Sequence, residues 1–131
     1  MEPVHAVRSF QPETASVAEA RRFVIDTVAP VAVDPRAIEL LTGELAANAV
    51  LHAQSEYRVR VRADTDRVRV EVVNDAPEMV VSVREPSDDG GRGLHMVRAL
   101  AADWGTESSP DEKVVWFEMR IGQSSDASVD A

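Results

Sequence analysis

The longest helical pattern in the chain covers about residues 36–52, where Ile38, Leu41, Leu45 and Ala49 recur at the spacing of one buried helix face. Glu44, Asn48 and His52 follow one another at four-residue intervals within it. At about 100° per residue, Asn48 points within about 20° of Leu41 and Glu44 lies about 40° from Asn48, on the flank. His52 falls between Leu41 and Leu45 in the same projection. Burying a carboxylate and an amide is costly unless both find partners. Either the fold satisfies these groups, or that face lines a cavity in which a ligand does.

Around this segment the pattern predicts the other elements. Val4–Phe10 alternates loosely and reads as a strand ended by Pro12. Ser16, with Glu19 three residues on, has the form of a capping box for a helix burying Val17, Ala20, Phe23, Val24 and Val28. Asp34 and Pro35 suit the N-cap and first position of the long helix. Past Ala53 the period changes to two. Residues 57–63 and 68–74 alternate around the turn Asp64-Thr65-Asp66, a hairpin pattern, and residues 114–120 form a last strand. A long connection rich in proline and glycine follows Asp75, with a short strand or turn at residues 80–83. A helix from about Arg92 is expected to bury Leu94, Val97, Leu100 and Ala101.

The fold class this order predicts is α/β (α+β), a two-layer sandwich with helices on one face of a mixed, mostly antiparallel sheet. The other face is at least partly polar, because Arg58, Arg60 and Arg62 share it. The domain is expected over residues 1–121, with a small, polar and disordered tail at 122–131. The exposed edge of the first strand can support a homodimer.

Composition narrows the function. The net charge of −9 argues against a nucleic-acid backbone as main partner, and makes a solvated strand face the better account of the three arginines. Without cysteine there is no disulfide or thiolate metal site. No run of the chain is apolar enough to span a membrane, and no signal pattern opens it, so a cytoplasmic location is expected. One stretch suits an anion. Gly90-Gly91-Arg92-Gly93-Leu94 leads into a helix, where glycines let backbone N–H groups approach a phosphate and the helix N-terminus favours its charge.

The segment Glu44-Leu-Ala-Ala-Asn48-Ala-Val-Leu-His52-Ala53 resembles the asparagine box of the GHKL (histidine-kinase-like) ATPase superfamily, most closely its small branch of anti-sigma-factor serine kinases. Gly91-Arg92-Gly93-Leu94 is similar to the family's second glycine box, and Asp103-Trp104-Gly105 with residues 113–118 resembles the ending of small anti-sigma regulators. Trp104, Trp116 and Phe117 are read as core or partner-facing aromatics. The first glycine box, Asp-x-Gly-x-Gly in the family, is here Asp75-Ala76-Pro77-Glu78-Met79 without its glycines.

The resemblance implies a Bergerat-type ATP-binding fold and the cofactors ATP and Mg²⁺. It implies Asn48 as the magnesium ligand, Glu44 as general base and Asp75 as acceptor of the adenine amino group. Gly91, Arg92, Gly93 and Leu94 would cradle the phosphates. The implied activity is that of a serine/threonine protein kinase in transcription regulation, phosphorylating an antagonist protein and controlling a sigma factor. The missing glycines make a nucleotide-sensing or degenerate binding module, acting through protein contacts without kinase activity, the alternative. His52 is read as structural.

Overall fold

The computed structural model describes residues 4–31, 33–52, 56–75 and 100–122, with the backbone alone at His52. In chain order it contains β1 (Val4–Phe10), α1 (Thr14–Val28), α2 (Pro35–His52), β2 (Tyr57–Ala63), β3 (Arg67–Asn74), β4 (Asp103–Ser108) and β5 (Lys113–Arg120). The strands form one five-stranded sheet in the order β1-β2-β3-β5-β4. Every pairing among the described residues is antiparallel, the limiting case of the expected mostly antiparallel sheet.

Alternation along the strands decides which face the helices cover. Tyr57, Val59, Val61 and Ala63 of β2 are buried, as are Val68, Val70 and Val72 of β3 opposite them. Val115 and Phe117 continue that layer on β5. Against it α1 sets Ala20, Val24 and Val28, and α2 sets Ile38, Leu41, Leu45, Ala46 and Ala49. Each fully buried Leu, Ile or Val contributes about 1.5–3 kcal/mol. Such burial, more than intrinsic propensity, holds an α2 that carries Gly43, Thr42 and Asn48 in its interior.

The start of α2 is as expected: Pro35 is the first helical residue and the Asp34 carboxylate accepts a hydrogen bond from the Arg36 amide at 3.0 Å. The start of α1 is not. Thr14 is already helical, and the flanking Glu13 makes no side-chain cap. Ser16 lies inside the helix, where its hydroxyl donates to the Glu13 carbonyl at 2.7 Å and meets the Tyr57 hydroxyl at 2.7 Å. A tertiary partner forty-one residues away thus took the side chain that the local pattern assigned to a cap. Burial, the largest influence, keeps the Tyr57 phenol above its ordinary value.

Two further departures concern the C-terminal third. Leu100, expected in the core, is 43% exposed, whereas Ala101 packs against it; Leu94 and Val97 lie outside the described residues. Asp103-Trp104-Gly105 opens a strand, β4, which lies along β5 at the sheet edge. Trp104 packs partly against the core and Phe117 is fully within it.

Thr42 faces the core with its hydroxyl oxygen buried and without a hydrogen-bond partner. Valine has nearly the same shape and no such oxygen. Thr42→Val is therefore expected to stabilise the protein by about 1 kcal/mol, because it removes an unsatisfied buried polar group. Urea denaturation with an unchanged slope and a higher midpoint would show it.

Candidate functional site

The buried stripe of α2 fixes the azimuth of everything else on that helix. With Leu41, Leu45, Ala46 and Ala49 pressed into the core, Glu44 and Asn48 emerge at the margin of the packed face, both half-buried. One helical turn, about 6 Å of rise, separates them. Neither side chain makes a hydrogen bond or ion pair among the described residues, so neither is a satisfied core polar group. Gly43, just before Glu44, lets the Arg21 guanidinium of α1 lie against the α2 backbone; a Cβ there would collide with its Nε. The site is therefore a carboxylate and an amide side by side on a rigid helix with their polar atoms uncommitted. An amide oxygen suits a hard cation such as Mg²⁺, which takes most of its remaining ligands from phosphate and water. No cluster of three or more His, Cys, Asp or Glu residues that could hold a metal ion occurs among the described residues.

Asp75 does not face this pair. Its carboxylate is 61% exposed and accepts from Arg58 at 3.3 Å, on the sheet face away from the helices. The preceding residue, Asn74, is fully buried and opposes the core residue Tyr57, so it shares the helix side of the sheet with α2. By strand parity Val68, Val70, Val72 and Asn74 share one face of β3, and Asp75 lies just past its end. Gly91, Arg92, Gly93 and Leu94 lie outside the described residues, as does the side chain of His52.

A model of the histidine kinase-like ATPase domain matches residues 10–119, which span both helices and all of β2 to β4. The chain belongs to that family. Its fold agrees. The crystal structure of the RsbU and RsbW domains of Rv1364c from Mycobacterium tuberculosis superposes with a TM-score of 0.61 at 18% identity, over 92% of this chain and 33% of that one. The Acinetobacter baumannii histidine kinase AdeS superposes with a TM-score of 0.59 at 12% identity, over 90% of this chain and 68% of that one. The chain thus spans a third of the length of the first relative. Identities this low establish a shared histidine kinase-like fold. No curated protein matches the chain. Among the described residues no helix is long and apolar enough to cross a membrane.

The far sheet face of this histidine kinase-like domain is of a different kind, built of charge. Glu71 of β3 is nearly buried, its side chain 8% exposed, and accepts from Arg60 Nε and Arg69 Nε at 2.7 Å each. Burial pushes its carboxyl up most strongly, but the hydrogen bonds from Arg69 and Arg60 together outweigh that and hold it below the usual glutamate range. Arg69 continues to Glu118 at 3.0 Å and stacks over the Trp116 ring at 4.0 Å. Burial lowers Arg69, but Glu71 and Glu118 hold its guanidinium above its ordinary value.

Proposed function

We propose that this histidine kinase-like domain is an ATP-dependent serine/threonine protein kinase of the anti-sigma-factor type, which phosphorylates an antagonist protein and so controls a sigma factor. The observation that carries the reading is the pair on α2: Glu44 and Asn48 are half-buried, one turn apart and without hydrogen-bond or ion-pair partners among the described residues. Bound ATP with Mg²⁺ supplies the phosphoryl group and the charge that spans its oxygens. In this reading Asn48 offers its amide oxygen to the cation. Glu44 accepts the proton of the acceptor hydroxyl. Asp75, just past the end of β3, accepts from the adenine amino group once it parts from Arg58. Gly91, Arg92, Gly93 and Leu94 follow Glu44, Asn48 and Asp75 in the chain and carry the phosphate contacts.

Isothermal titration with ATP, with and without Mg²⁺, tests this. Magnesium-dependent binding should weaken by about tenfold or more in Asn48→Ala, a loss of about 1.4 kcal/mol. Glu44→Ala should bind ATP and fail to transfer phosphate to a protein acceptor. Absence of binding at about 1 mM ATP, an affinity weaker than about −4 kcal/mol, overturns the reading. The missing glycines after Asp75 favour one rival, a nucleotide-sensing module without kinase activity. That rival predicts Glu44→Ala to be indistinguishable from the parent in every assay.

A further inference from the structure

The uncovered sheet face is not uniform. On its β1–β2 side His5, Val7, Arg58, Arg60, Arg62, Arg69 and Glu71 line a cleft of about 440 Å³. Four arginines against one carboxylate give it a formal excess of three positive charges, in a protein whose net charge is −9. Most of that charge is structurally committed. Glu71 is held between Arg60 and Arg69, and Arg58 is turned outward to Asp75 and Glu112. What remains is uncommitted. Arg60 is held through its Nε, and its two terminal nitrogens make no hydrogen bond among the described residues. Arg62 is 62% exposed, with only a 3.7 Å approach to Glu71. A guanidinium anchored at Nε presents its terminal N–H groups in fixed geometry, as bidentate recognition of a carboxylate requires.

Two neighbouring features narrow the ligand. The strand bordering the cleft, β1, pairs only with β2 among the described residues, so its outer edge offers backbone donors and acceptors. Its register with β2 runs through seven consecutive pairs without a bulge, and no described residue pairs with its outer edge. Val7, pointing into the cleft, is a 48% exposed apolar side chain. Open backbone, one apolar contact and preset guanidinium groups fit an extended peptide that carries carboxylates.

We propose that the β1–β2 side of the open sheet face docks an extended acidic segment of a partner protein. The segment adds along β1, with side-chain carboxylates on Arg60 and Arg62 and an apolar residue on Val7. Glu71 is a positioning residue that holds Arg60. A second copy of this chain fits the cleft less well, because equivalent basic clefts would face each other's excess charge across a two-fold axis through β1. The surface lies on the opposite side of the sheet from Glu44 and Asn48, so the proposal stands independently of nucleotide chemistry.

The test uses a fluorescein-labelled peptide of alternating Asp and Val, its counterpart of alternating Asn and Val, and fluorescence anisotropy with the full chain. The acidic peptide should bind and the amide peptide should bind at least about tenfold more weakly. Arg62→Gln, at an exposed position, should reduce acidic-peptide binding several-fold, and Arg60→Gln with Arg62→Gln by about tenfold or more. Raising salt from about 0.05 to about 0.5 M should weaken binding as well. Equal binding of the two peptides, or binding untouched by Arg62→Gln, overturns the proposal. So does no anisotropy change up to about 1 mM protein, including the case in which sedimentation equilibrium shows a dimer whose β1 edge is already occupied.

Discussion

Glu71→Ala is expected to destabilise the protein by about 3 kcal/mol, the low end of the range for removing one partner from a buried ion pair. The substitution takes the shared carboxylate from Arg60 and leaves Arg69, only 18% exposed, with Glu118 and the more distant Glu107. Arg60→Ala should cost less, about 1 kcal/mol, since its side chain is a third exposed and Glu71 keeps its bond from Arg69. The same carboxylate makes stability depend on pH. Its pKa is lowered in the folded state, so the stability it contributes is fully present above the unfolded value of about 4.3 and is lost as pH falls through the folded value. Urea midpoints measured between about pH 7 and about pH 3.5 should fall less steeply for Glu71→Gln than for the parent. The amide keeps the shape and cannot titrate. Parallel slopes would mean that Glu71 is not an acid-sensitive element of the fold.

Gly105→Ala carries the second-largest expected effect, a loss of about 2 kcal/mol. Gly105 lies opposite Trp116 in the β4–β5 ladder, and a Cβ there would meet ring atoms of Trp116 at 2.9, 3.1 and 3.2 Å. An indole cannot yield as a flexible chain end does. It can move away from the new Cβ only by disturbing its stack with the Arg69 guanidinium at 4.0 Å. The gain of alanine over glycine in a strand, about 0.5–1 kcal/mol, is smaller than the overpacking cost. The melting temperature should drop by about 6–10 °C, with a change in tryptophan emission as the ring shifts. Combining Gly105→Ala with Arg69→Ala should cost less than the sum of the two, because the stack is lost only once.

Much of this architecture was legible because burial is written into period. The alternation at residues 57–63 and 68–74 and the stripe Ile38, Leu41, Leu45, Ala49 depend only on which side chains avoid water. The elements misread are those decided by a distant partner. Ser16 has the form of a cap, but Tyr57 holds it inside the helix. Asp103–Ser108, with Asp, Gly, Thr, Glu and Ser, has little strand propensity, and β5 supplies the pairing that makes it a strand. Glu71 reads as one more solvated charge in an alternating strand; only the strand pairing puts Arg60 directly across from it. At the site, Glu44 and Asn48 were visible as a motif on a helix face. Asp75 was placed by its order along the chain, which says nothing of the Arg58 side chain that its carboxylate meets.

The order of strands also bears on how the chain reaches this state. The hairpin of β2 and β3 closes across a three-residue turn in which the Asp64 carboxylate accepts from the Asp66 and Arg67 amides. Local contacts of that kind form early, within about microseconds to tens of microseconds. By contrast β1 pairs Val4 with Ala63 and Phe10 with Tyr57, across both helices in the chain, and cannot dock until the whole of β2 has been made. Its closure entropy is met late, so the N-terminal strand waits while both helices and the hairpin assemble. β5 waits in the same way, since it pairs Val114 with Val73 and Arg120 with Arg67, so both flanks of the hairpin close over long loops.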